Sequence, residues 1–190
     1  LAEQQLGQFA SSVAEAVEFQ TQGTGAITIR AGITGVGAGG AGATPITVGA
    51  LTTLGSGSII LQGNGAITVN GAITTTGGTV TFTNAGLLTL NGDISSDGAV
   101  TQNGAGAVTI TAPRTITTTG DAVSFATDVT LNGGAAGLVS IDTTAGGSAA
   151  GNNITFSGKL DATTALANAE KLTVDAGTAG NVLFTGAVGT

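Results

Sequence analysis

Asp93 and Asp97 are the closest pair of carboxylates in the repetitive part of this sequence. They are the first place to look for acid–base chemistry, because sugar-cleaving sites need two carboxyl groups facing one bond. Asp121, Asp128 and Asp142 are spread across the later coils. Only four cations accompany them: Arg30, Arg114, Lys159 and Lys171. The sequence contains no His and no Cys, so no imidazole or thiolate is available for proton transfer, metal binding or disulfides. Asp97 precedes Gly98, the signature of a turn, and these acids read as solvated turn residues, not as a catalytic set. The sequence therefore points to no catalytic residue, no metal and no cofactor. Gly39-Gly40-Ala41-Gly42 is followed by no Asp, as a calcium nonapeptide would require. No Gly-rich stretch ends in Gly-Lys-Ser/Thr, as a phosphate loop would. The net charge of −7 argues against nucleic acid and anionic lipid as partners. No apolar run is long enough for a membrane-inserted helix.

The elements that carry these residues follow from one phrase, apolar-Thr-apolar. It occurs as Ile27-Thr28-Ile29, Ile46-Thr47-Val48, Ile67-Thr68-Val69, Leu88-Thr89-Leu90, Val108-Thr109-Ile110 and Val129-Thr130-Leu131. Successive copies start 19, 21, 21, 20 and 21 residues apart. A fixed period near twenty is the mark of a stacked solenoid. A second apolar site follows at Ile33, Leu51, Ile73, Ile94 and Ile116, and a third at Ile59, Val80, Val100 and Val123. Three short strands per period predict an all-β, three-sided parallel β-helix with about 20 residues per coil. Within each phrase the apolar residues turn inward, and Thr28, Thr47, Thr68, Thr89, Thr109 and Thr130 form an outer row. Such Thr are ordinary exposed strand residues, and with one per coil they do not suggest an ice-binding face. Next to them runs a corner row of Arg30, Gly49, Asn70, Asn91, Thr111 and Asn132. Asn70, Asn91 and Asn132 each precede Gly, so they are expected to turn the corner in a left-handed conformation and to form an amide ladder.

Two parts of the chain depart from the period. In Leu1 to about Phe19, Leu6, Phe9, Val13 and Val17 recur at helical spacing, which predicts an amphipathic helix. Residues 1–22 thus read as a cap or docking element, and residues 23–190 as the β-helix, regular to about 132 and irregular after it. The later strands are expected at Ile154-Thr155-Phe156, Leu172-Thr173-Val174 and Val182-Leu183-Phe184, with Ala162 to Lys171 as a loop or short helical turn. The irregular stretch Gly133–Asp175 is the expected place for any binding surface.

The phrases Leu88-Thr89-Leu90-Asn91-Gly92, Gly151-Asn152-Asn153-Ile154-Thr155-Phe156-Ser157-Gly158 and Gly180-Asn181-Val182-Leu183-Phe184-Thr185-Gly186 resemble the passenger repeats of filamentous-haemagglutinin-like proteins. The similarity covers roughly Thr24 to Thr190. It implies a right-handed parallel β-helix, export from a Gram-negative bacterium, and a role in adhesion or surface structure. The helical start departs from that pattern. Together these readings predict a non-enzymatic extracellular building element of a filament or surface fibre, assembling head to tail with copies of itself or with adjoining repeats. Leu6, Phe9, Val13 and Val17 are the candidates on one end, and Val182, Phe184 and Val188 on the other. The alternative is a passenger segment of a large secreted adhesin that binds a cell surface or glycan.

Overall fold

A computed structural model of the chain describes residues 19–21, 24–31, 44–133, 137–164 and 170–189, with side chains from residue 24 onward. Its strands, in chain order, are β1 (Phe19–Thr21), β2 (Ile27–Ala31), β3 (Ile46–Val48), β4 (Leu51–Thr53), β5 (Ile59–Gly63), β6 (Ile67–Val69), β7 (Ile73–Thr75), β8 (Val80–Asn84), β9 (Leu88–Leu90), β10 (Ile94–Ser96), β11 (Val100–Gln102), β12 (Val108–Thr111), β13 (Arg114–Thr118), β14 (Val123–Phe125), β15 (Val129–Asn132), β16 (Leu138–Asp142), β17 (Ile154–Phe156), β18 (Leu160–Ala162), β19 (Lys171–Asp175) and β20 (Val182–Phe184). Every third strand pairs in parallel. Sheet A runs β1-β4-β7-β10-β13-β16-β19, sheet B runs β2-β5-β8-β11-β14-β17-β20, and sheet C runs β3-β6-β9-β12-β15-β18. The protein is a three-sided parallel β-helix.

The inward columns form the core. Leu51, Ile73, Ile94, Ile116 and Ile141 stack in sheet A, Ile59, Val80, Val100, Val123 and Ile154 in sheet B, and Ile67, Leu88, Val108 and Val129 in sheet C, all buried. No strand of three to five residues could stand alone; each is held by its copies in the coils on either side. From Leu51 to Leu131 in-register partners lie 20–23 residues apart. The interval widens to 32 between Ile27 and Ile59, 31 between Val123 and Ile154, and 33 between Ile141 and Val174.

The pairing corrects several expectations. Phe19–Thr21 is a strand paired with β4, so the solenoid begins before residue 23. The predicted helix positions Leu6, Phe9, Val13 and Val17, and also Ile33, lie outside the described residues. Ile27-Thr28-Ile29 pairs with Ile59-Ile60-Leu61 in sheet B, so Thr28 and Arg30 leave the columns that the period assigned them. Past residue 132 the three sheets continue. Leu138–Asp142 joins sheet A, Ile154–Phe156 sheet B and Leu160–Ala162 sheet C. Among the described residues the irregularity there lies in longer corners. In one of them Thr143 Oγ1 donates to Asn152 O (3.0 Å) and accepts from Asn152 N (2.9 Å).

The corners explain the glycines in a different way from the one expected. None of Gly71, Gly92 and Gly133 adopts a left-handed conformation. A Cβ on Gly92 would instead fall on the carbonyl oxygen of Gly71 in the coil below. Gly78 stands in the same relation to Gly57, and Gly106 to Gly86, at the other two corners. Three glycine columns, one per corner, let backbone stack directly on backbone.

Two polar columns also face inward. Thr53, Thr75, Ser96, Thr118 and Thr143 are buried at the end of the sheet A strands. Thr53 Oγ1 donates to Gly57 O (2.6 Å) and Thr75 Oγ1 to Gly78 O (2.7 Å). Thr118 Oγ1 likewise donates to Asp121 O. Each hydroxyl ties down a corner carbonyl. At the next corner Gln102 Nε2 donates to Asn84 Oδ1 (2.8 Å), and Asn84 Nδ2 to Gly86 O (2.7 Å) and Gly106 O (2.9 Å).

Candidate functional site

One column of sheet B leads to the candidate site. Leu61, Phe82, Gln102, Phe125, Phe156 and Phe184 occupy it in register. Phe125 and Phe156 stack at 5.4 Å between ring centroids with 19° between planes, and Phe156 and Phe184 at 5.2 Å and 10°. Phe156 is 1% exposed. Phe184 is 39% exposed, because β20 is the last strand of its sheet and no coil covers it.

The same holds around the perimeter of that coil. On β20, Val182 points inward like Ile154 below it yet is 38% exposed. Val188 forms a parallel bridge with Leu160, continuing sheet C by one step, and is 56% exposed. On β19, Leu172 and Val174 are half-buried, whereas Val139 and Ile141 beneath them are fully buried. The three predicted residues Val182, Phe184 and Val188 thus lie together on one open cross-section of the core. Leu183, which points outward from the same strand and is 54% exposed, was not singled out by the sequence. Its neighbours in that outward column are Thr155 and Ser124, so the change from hydroxyl to isobutyl was the available signal. The outer N–H and C=O groups of such an edge are a template for another strand.

At the opposite end, Ile27, Ile46 and Val48 are buried although β2 and β3 head their sheets. The two ends of the rod are therefore unlike.

Asp93 and Asp97 flank β10 at its two ends, and each reaches to the next coil: Asp93 Oδ1 accepts from Thr115 N (2.9 Å), and the Asp97 carboxylate accepts from Thr119 Oγ1. Asp128 Oδ1 accepts from Lys159 N (2.8 Å) in the same manner. These carboxylates brace corners. Glu170, buried in a long corner, accepts from Gly133 N (2.9 Å) and Thr163 Oγ1 (2.7 Å). Among the described residues no group of three or more His, Cys, Asp or Glu could hold a metal ion. A shallow hollow of about 360 Å³ lies beside Ala105, Ala107, Ala126, Thr127, Asp128 and Gly158, with Asp128 its one charged lining group.

No protein-family model, curated protein or solved structure matches this chain.

The expected corner ladder is interrupted. Asn91 Nδ2 donates to Asn70 Oδ1 (2.9 Å), but Thr111 stands between Asn91 and Asn132 in the stack. Asn132 Oδ1 instead accepts from Thr163 Oγ1 (3.2 Å) in the following coil. Asn70 and Asn91 form one rung, and Asn132 belongs to another. These contacts hold coils together.

Proposed function

We propose that this chain is a non-enzymatic β-solenoid building element of an extracellular filament or surface fibre, extended head to tail by strand pairing at the open coil. The observation that carries this reading is the uncovered core cross-section formed by Leu172, Val174, Val182, Phe184 and Val188 beside unpaired strand edges. A further coil, from a second copy or from adjoining repeats of a longer chain, removes that apolar surface from water and pairs the edge groups at the same time. An interface between unlike ends need not close, so repetition gives a fibre. The corner-bracing carboxylates and the lack of His and Cys support a structural role over a catalytic one. Export from a Gram-negative cell rests on the resemblance to filamentous-haemagglutinin-like repeats.

Electron microscopy and sedimentation of the purified chain over a concentration series test the proposal. Filaments are expected, with an axial repeat near 34 Å for seven coils at about 4.8 Å each. Monomers at every concentration overturn it. The adhesin reading draws on the long corner at residues 143–153, which interrupts the coil spacing. Binding of the monomer to a glycan array would favour it.

A further inference from the structure

One corner of the rod carries three Asn-Gly pairs, Asn70-Gly71, Asn91-Gly92 and Asn132-Gly133, in three different settings. We infer that this corner is a site of self-modification: Asn70 cyclises onto the Gly71 nitrogen and becomes aspartate or isoaspartate, while the Glu170 carboxylate keeps the Asn132-Gly133 pair unreacted.

The step needs only the chain and water. The glycine nitrogen gives its proton to hydroxide and attacks Cγ of the preceding Asn. A Cγ–N bond forms, the Cγ–Nδ2 bond breaks, and the side-chain nitrogen leaves as ammonia with a proton taken from water. The product is a five-membered succinimide. Water opens it at either carbonyl to give aspartate or isoaspartate, and nothing is oxidised or reduced. Glycine favours the closure because it has no Cβ to crowd the ring.

All three glycines sit on the backbone of the coil below, so the space beneath them does not distinguish the pairs. Their hydrogen bonds do. Asn70 is exposed, and its Oδ1 accepts from Asn91 Nδ2 (2.9 Å). That donor stands where negative charge gathers as Cγ is attacked. Among the described residues no hydrogen bond holds the Gly71 N–H, whereas the N–H of Ala112, two coils on, donates to Asn132 O (2.8 Å). Asn70 therefore combines a polarised carbonyl with a nitrogen open to base. Asn91 is the reverse case. It is half-buried, Gly92 is buried, and its Nδ2, the leaving group, is tied to Asn70.

Asn132 is exposed like Asn70, but its glycine is guarded. Gly133 N donates to Glu170 Oε1 (2.9 Å). Removing that proton would set an amide anion against a buried carboxylate, two like charges in contact. The carboxylate should lower the population of attacking nitrogen by about tenfold. Glu170 is itself held in place, by Thr163 Oγ1 (2.7 Å), Thr164 Oγ1 (3.3 Å) and Thr164 N (3.2 Å). Thr163 Oγ1 also lies 3.2 Å from Asn132 Oδ1. Its single proton is shared with the shorter, charge-assisted bond to Glu170, so the Asn132 carbonyl is polarised less than that of Asn70.

Incubation of the chain in mildly alkaline buffer, followed by peptide mapping in a mass spectrometer, reads the three pairs separately. In folded protein Asn70 is expected to convert about tenfold faster than Asn132. In urea, where only the shared Asn-Gly sequence remains, the three rates are expected to converge. Glu170→Ala is expected to raise the Asn132 rate toward that of Asn70. The Asn70 rate, measured in the same digest, is expected to stay unchanged and reports that the fold is intact. Glu170→Gln removes the charge and keeps the shape, and is expected to move Asn132 in the same direction; it decides the matter if the alanine variant does not fold. Asn132 converting as fast as Asn70 in the folded parent overturns the inference, and a faster Asn132 would make Glu170 a base instead of a guard. An Asn132 rate that neither variant changes overturns the role of Glu170. No conversion of Asn70 in folded protein, over a time that converts it in urea, overturns the assignment of Asn70.

Discussion

Phe156 and Phe184 are the same residue in the same column, one coil apart, and their surroundings differ by a single layer of chain. The first is 1% exposed between two rings, and the second is 39% exposed beside one. In a solenoid the environment of a side chain is set by how many coils flank it, more than by its own strand. The largest predicted effect exploits this pair. Phe156→Ala should destabilise the monomer by about 4 kcal/mol, as deletion of a buried ring does, and Phe184→Ala by about 2 kcal/mol, since its ring is only partly withdrawn from water. Urea denaturation of dilute protein reads both, and equal losses would break the comparison. In assembled protein Phe184→Ala should approach the buried value.

Backbone contact provides the next test. Gly92→Ala should cost about 3 kcal/mol, because its Cβ would meet the Gly71 carbonyl of the coil below. At Gly189, on the open end, nothing lies within 4 Å, and Gly189→Ala should register only the strain of its φ of +66°, about 1 kcal/mol. Thermal melts separate the two. Within the Phe column itself, Gln102→Leu should lose about 2 kcal/mol by leaving buried Asn84 Oδ1 without its donor. A stabilising outcome in urea would show that this polar layer is dispensable. Smallest of all, Leu183→Thr should change monomer stability by no more than about 0.5 kcal/mol, as an exposed substitution does.

The coils between Leu51 and Leu131 were legible because their period barely varies, and the period alone fixes which apolar residues stack. The period misassigns Ile27-Thr28-Ile29 because apolar-Thr-apolar occurs in sheets B and C alike. Val80-Thr81-Phe82 and Ile154-Thr155-Phe156 carry it in sheet B as well. Once a corner lengthens, counting from the previous copy no longer identifies the face. The buried hydroxyls of Thr53, Thr75 and Thr118 were invisible for a related reason: threonine alternates with threonine in Thr52-Thr53 and Thr117-Thr118, and only the strand phase says which one faces in. Of the candidate site, Val182, Phe184 and Val188 were readable as inward apolar residues of the final coil. Leu183 is not legible in the same way, because it stands in the outward phase, where apolar residues carry no burial signal.

The uniform pairing of each strand with its copies one coil below and above has a mechanical consequence. The inter-coil hydrogen bonds run along the rod axis, so tension applied between the two chain ends loads them one coil at a time and does not shear whole sheets. A pulled molecule should shorten its stack by discrete peeling events that start at the open end. At roughly 3.4 Å per extended residue, a regular coil releases about 70–80 Å of chain and a long-cornered one about 105–110 Å. Single-molecule force traces would then spell out the order of short and long coils. A fibre built this way would yield in small, repeated steps and could re-form each by laying the coil back onto its neighbour.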